Sequence, residues 1–141
     1  MPGDITTLSS IENWSRHFLN IVTETEYEVD RKYFVSEKIY KPILGMRPFL
    51  VYAPGGASAW LTSKGFETYC GDFTDISDLD LTQPDNIAPF LSELCQQPLQ
   101  YLRYKLINLG QKIMHNREHF YQYVNSQQQK IEKELYDIRN F

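Results

Sequence analysis

Cysteine is scarce in this chain. Only two of its 141 residues are cysteine, Cys70 and Cys95, and they do not form the close pair of a metal knuckle or a redox motif. Two isolated thiols are expected to stay reduced and to serve as packing residues. Long apolar runs are missing too: none approaches the roughly 18 residues of a membrane span. Met1-Pro2-Gly3-Asp4 lacks the basic and apolar segments of a secretory leader, so a cytoplasmic location is expected. Positive charge is in deficit, with 14 Lys and Arg against 18 Asp and Glu for a net charge of −4. That makes the chain a poor candidate for general nucleic-acid binding, which needs a basic face to displace counterions, and leaves room for a local basic pocket for one diphosphate. No G-x-S-x-G, Walker or G-x-G-x-x-G pattern occurs.

What is present is globular. Hydrophobic residues make up 42% and charged residues 23%, with 10 Tyr, 8 Phe and 2 Trp, enough for a packed core and unlike a disordered tail. The length fits one domain. An α/β part is expected over 18–80 and a helical region over 86–141.

Residues 8–16 read as a short helix capped by Ser9 or Ser10, with Ile11 and Trp14 on one side. Phe18 to Thr23 reads as a buried strand. A charged loop spans Glu24 to Lys32, and Tyr33-Phe34-Val35 approaches in extended form. Ser36 is a suitable N-cap for a helix to Leu44, with Glu37 in its first turn, Pro42 shortening it and Gly45 as the left-handed C′ residue. Pro48 to Ala53 is a second strand, Pro54-Gly55-Gly56 a turn, Ala57 to Lys64 a helix ended by Gly65, and Phe66 to Cys70 a third strand. This order predicts a small parallel, Rossmann-like sheet of three to four strands, with its loops opening on one edge. An acidic loop follows over 71–84, carrying Asp72, Asp75, Asp78 and Asp80. The remainder predicts helices over 86–96, 99–115 and 117–138. Leu102, Leu106, Leu109 and Ile113 are spaced 4, 3 and 4 apart, and Phe120, Val124, Gln128, Ile131, Leu135 and Ile138 are spaced 4, 4, 3, 4 and 3. Each set is one apolar stripe. The last segment is otherwise strongly polar, the pattern of a helix that packs along a body or pairs with another chain.

The chemistry-bearing residues cluster at Ser36-Glu37-Lys38. A strand-to-helix junction presents free N–H groups to an anion, and Arg31, Lys32, Lys38 and Lys41 form the local basic cluster beside it. The plainer reading of Glu37 and Lys38 is an acid and a base exposed at a helix start. His115-Asn116-Arg117-Glu118-His119 matches H-x-x-E-H, but no third ligand is placed, so no metal site is expected. The spacing of Asp72, Asp75 and Asp78 is not that of a calcium loop.

Phe34-Val35-Ser36-Glu37-Lys38, followed by a helix, Pro48-Phe49-Leu50-Val51-Tyr52-Ala53-Pro54-Gly55 and Gly65-Phe66-Glu67-Thr68, resembles the donor-binding half of α1,3-fucosyltransferases and small phage-encoded glycosyltransferase-like relatives. His115-Asn116-x-x-His119-Phe120 is similar to the closing helix of that group. The resemblance implies a nucleotide-sugar donor domain without the acceptor half that supplies a general base. In that role Glu37 would hold the ribose and Lys38 the diphosphate. Phe34 would stand near the donor where the family often has Tyr, Ser36 would belong to the same motif, and Gly55 and Gly56 would let backbone approach the donor. Transfer, if present, would release a nucleoside diphosphate stabilised by Lys38. A phage origin would place the chain in a host cytoplasm or a virion. The alternative is a non-catalytic assembly or interaction module that uses 117–138 to bind a second copy or another protein.

Overall fold

Asn20-Ile21-Val22-Thr23 and Phe49-Leu50-Val51-Tyr52 are short runs of β-branched and aromatic residues without Gly or Pro, and they pair as parallel strands β1 and β2. Register sets Ile21 opposite Leu50 and Val22 opposite Val51. The structure is a computed structural model that describes residues 11–24, 35–53, 56–75 and 84–139. Ser9, Ser10, the loop over 25–32 with Arg31 and Lys32, Tyr33, Phe34, Pro54, Gly55, Asp78 and Asp80 lie outside the described residues. Around the strands stand α1 (Ile11–Arg16), a 3-10 turn (Glu37–Ile39) running into α2 (Tyr40–Leu44), α3 (Ala57–Ser63), α4 (Cys70–Phe73), α5 (Pro84–Cys95), α6 (Leu99–Asn108) and α7 (Gly110–Arg139).

Side chains alternate across a strand, and both faces of this sheet are covered. Val22 and Phe49 point into a cluster with Ile39, Ile43, Leu61, Phe66, Tyr69, Leu109, Ile113 and Phe120. Leu50 and Ile21 point the other way, to Cys70, Phe73, Phe90, Leu91 and Leu94. The expected α/β part and the helical region therefore share one core. A parallel strand buried on both faces reads as continuous apolar sequence rather than alternation, as Phe49-Leu50-Val51-Tyr52 does.

The sheet has two strands among the described residues. The expected third strand over Phe66–Cys70 does not form. Phe66 and Tyr69 are buried and Glu67 is exposed, a spacing of three that a strand cannot place on one face. The backbone there bonds to side chains of α7 instead. Asn116, fully buried, accepts from the Glu67 N–H at 2.7 Å and donates to the Glu67 carbonyl at 2.9 Å and the Tyr69 hydroxyl at 3.0 Å. Its carboxamide takes the place of a neighbouring strand. Lys112, one turn earlier, donates to the Thr68 carbonyl at 3.3 Å and the Asp72 carboxylate at 2.7 Å. His115 and His119 direct Nε2 at the carbonyls of Gly65 and Lys64. Residues 112, 115, 116 and 119 lie on one side of a helix, so α7 grips 64–72 with a polar stripe beside its apolar one. Burial raises the Tyr69 pKa far above the ordinary phenol value, with Asp72 and Glu67 adding to the rise and the Asn116 hydrogen bond opposing it. Tyr69 stays a neutral part of the core.

Two chain ends differ from expectation. Gly45 is not the left-handed residue after α2. It has φ −73°, and Met46 takes φ 53°, with Arg47 N–H donating to the Pro42 carbonyl at 3.0 Å. This is a Schellman cap with methionine at C′. Glycine is needed at 45 for space, because a Cβ would stand 2.3 Å from the Trp14 ring. Arg47 Nε then donates to the carbonyls of Trp14 and His17, tying down the end of α1. Gly65 does end α3 as expected, at φ 89°. The break between the last two helices falls at Leu109, ahead of Gly110, rather than near residue 116. The predicted acidic loop begins as α4, where Asp72 is paired with Lys112 rather than solvated.

Thermal unfolding checks both arrangements. Gly45→Ala is expected to destabilise by about 1–3 kcal/mol through overpacking against Trp14, whereas Met46→Gly is expected to stabilise by about 0.5–1 kcal/mol by relieving the left-handed strain. Asn116→Ala strands the buried polar groups around Glu67 and is expected to cost roughly 2–5 kcal/mol. A loss no larger than that of an exposed Asn would remove the strand-substitute role.

Candidate functional site

The predicted junction lies at the carboxyl edge of the two parallel strands, where open α/β sheets place ligands. Ser36 is extended, at φ −94° and ψ 176°, and caps the 3-10 turn, its Oγ accepting from the Lys38 N–H at 3.4 Å. The decisive neighbour is Glu24, the first residue after β1. Its N–H donates to the Tyr52 carbonyl at 3.1 Å, which extends the ladder by one bond. Its carboxylate then accepts from the Ser36 N–H at 2.9 Å and from the Ser36 hydroxyl at 2.6 Å. Glu24 is 6% exposed, so this is a largely desolvated, charge-assisted pair of hydrogen bonds.

The chain's own carboxylate therefore already sits on the N-cap residue of this turn, where an anion approaching Ser36 would bind. Lys38 turns to the end of β1, with Nζ donating to the Thr23 carbonyl at 3.3 Å. Glu37 is exposed, and its carboxylate has no partner among the described residues. Gly56 follows β2 at φ 106° and precedes α3. Ser36, Glu37 and Lys38 thus sit together on one turn. No hydrogen bond joins Gly56 to them among the described residues, and Phe34 and Gly55 lie outside those residues. Sequence reasoning missed Glu24 because it stands at the head of a charged stretch, and no short-range pattern ties it to Ser36, twelve positions on. Its position just past a strand, with an N-capping serine ahead of the next helix, was the available signal.

The second candidate is the far half of α7. The stripe that buries Ile113 and Phe120 continues beyond the body as Val124, Ile131 and Leu135, which are 41%, 57% and 53% exposed. Where α7 leaves the body, Tyr40 and Tyr123 join Val124, Gln127, Gln128, Ile131 and Glu132 in lining an open groove of about 420 Å³. Burial, and secondarily Tyr123, raises the Tyr40 pKa, so that wall of the groove is uncharged. The H-x-x-E-H residues lie elsewhere. His115 and His119 stack with ring centroids 5.7 Å apart and cap the end of α3 with Nε2, which is thereby the donor nitrogen of each ring. No group of three His, Cys, Asp or Glu side chains suited to a metal ion occurs among the described residues. Cys70 is buried, and Cys95 is an exposed free thiol. No described helix is long and apolar enough to cross a membrane.

Denaturant unfolding of single and double variants tests the Glu24–Ser36 contact. Glu24→Gln and Ser36→Ala are each expected to cost about 1–3 kcal/mol, and the double variant clearly less than the sum, because both remove one interaction. Strict additivity would show that the bond between the Ser36 hydroxyl and the Glu24 carboxylate contributes nothing to stability.

Comparison with known proteins returns no relative: no family model matches the chain, and no curated protein and no solved structure matches it.

Proposed function

We propose that this chain is a protein-interaction module, a small α/β body that holds a long helix out as its contact element. One observation carries the reading. The apolar stripe of α7 serves the body only as far as Phe120, yet it continues through Val124, Ile131 and Leu135, where the structure leaves those side chains exposed. An apolar stripe kept on an otherwise polar helix beyond the point where the fold uses it fits a docking surface. Thermal unfolding of the dilute chain tests this. Leu135→Glu is expected to change stability by no more than about 0.5 kcal/mol, as at an ordinary surface site. A loss of roughly 2–5 kcal/mol, the scale of a core substitution, would mean that the stripe is buried within the chain itself and would end the reading.

A second reading keeps the nucleotide-sugar donor domain with a Rossmann-like origin. Its support is positional: Ser36-Glu37-Lys38 and Gly56 both follow parallel strands at their carboxyl edge. It requires Glu24 to yield its place on Ser36 or the diphosphate to bind outside it, against Lys38. Calorimetric titration with GDP and UDP decides it. Binding that is lost in Lys38→Ala supports the site, and no heat at millimolar nucleotide removes it.

A further inference from the structure

We infer that the occupant of the exposed α7 stripe is a second copy of this chain, bound antiparallel. The inference rests on the interaction-module reading and names its partner. Three observations lead to it.

The first is the face. Ile113, Phe120, Val124, Ile131 and Leu135 recur at intervals of seven or four, so they share one side of α7. In the first half of the helix that side is covered by the body, where Ile113 and Phe120 pack with Ile39, Ile43 and Tyr69. A parallel partner helix lying on 124–139 would continue along 110–123 and run into that body. An antiparallel partner instead continues past Arg139, away from the body, and its own body lies beyond that point. Only the antiparallel arrangement covers both stripes without a clash.

The second is the charge pattern. From Phe120 to Gln129 the helix has no charged residue, and from Lys130 to Arg139 it has three bases (Lys130, Lys133, Arg139) and three acids (Glu132, Glu134, Asp137). The contact element is thus neutral overall and does not repel its own copy. Antiparallel pairing also sets the charged half of each helix against the uncharged half of the other, so like charges are not forced together across the seam.

The third is the spacing and the groove. Val124, Gln128, Ile131 and Leu135 follow the alternating four-three spacing of a coiled-coil seam, with one polar position, Gln128, of the kind that fixes register. The segment 124–139 spans roughly 24 Å at 1.5 Å per residue. Leu135 of the second copy therefore comes back to the groove lined by Tyr40, Tyr123, Val124, Ile131 and Glu132. About three turns of seam on each chain, Val124 to Leu135, make a small interface, so association is concentration-dependent.

Light scattering and sedimentation of the full chain from micromolar to millimolar concentration test the pairing. The expected result is a monomer that becomes a dimer. Ile131→Glu and Leu135→Glu should remain monomeric over the same range while keeping the unfolding midpoint of the dilute native chain. A native chain that stays monomeric at millimolar concentration overturns self-pairing. The docking reading fails separately, on the dilute-chain stability of Leu135→Glu. Orientation is read by cross-linking in a Cys95→Ser background, which removes the exposed native thiol. Chains with Val124→Cys and chains with Leu135→Cys, oxidised together, should cross-link several-fold more than either alone. Preferential cross-linking of each variant to itself overturns the antiparallel arrangement.

Discussion

The fold hangs on one carboxamide. Asn116 is fully buried on α7 and offers the Glu67 backbone both an acceptor and a donor, the pairing a neighbouring strand would have provided. Buried peptide groups must find partners, and an extended segment beside a two-stranded sheet has few. By supplying them, Asn116 lets the chain cross the core at 66–69 without a third strand. Phe66 and Tyr69 can then fill the space between the sheet and the helix. Lys112, His115 and His119 reinforce the same grip from adjacent turns. A buried polar contact of this kind is sensitive to register: sliding α7 by one residue would break its bonds and turn its apolar stripe away from Ile39 and Ile43. The position of the long helix, and so the direction in which its free half points, follows from that contact.

The strands and most helices were legible because their signals are local. Val22 and Val51 lie in apolar runs bounded by polar or turn-forming residues, and Gly65 ends its helix in the conformation glycine permits. The failures share a cause. Phe66-Glu67-Thr68-Tyr69-Cys70 reads as a strand by composition, but whether a segment pairs depends on what lies beside it, and here that is a helix nearly fifty residues on. Gly45 carries the usual sign of a left-handed helix end, yet its reason is the Trp14 ring, 31 positions back in the chain, and the left-handed conformation falls on Met46. Composition cannot separate a glycine chosen for its dihedral angles from one chosen for its missing side chain.

The candidate site divides in the same way. Ser36, Glu37 and Lys38 were found from a local motif, and the structure sets them at the carboxyl edge of the sheet. Glu24 was not, because its bond to Ser36 is long-range. That bond changes the chemistry of the junction: the capping serine of a helix start that reads as open to an anion already carries a carboxylate. The stripe on α7 was legible from spacing alone, but only the structure separates the half spent on the core from the half left exposed.

The bond between Glu24 and Ser36 has a consequence for tolerance to change. It brings together the two ends of the connection between β1 and α2, one held by the ladder through Tyr52 and the other by the helix cap. A connection whose ends are independently fastened adds to the free energy of folding mainly through closure entropy, which grows by only about 0.6 kcal/mol for each doubling of length. The bond thus fixes the span that this connection must close, and a change in its length enters the stability of the body through that slowly growing term.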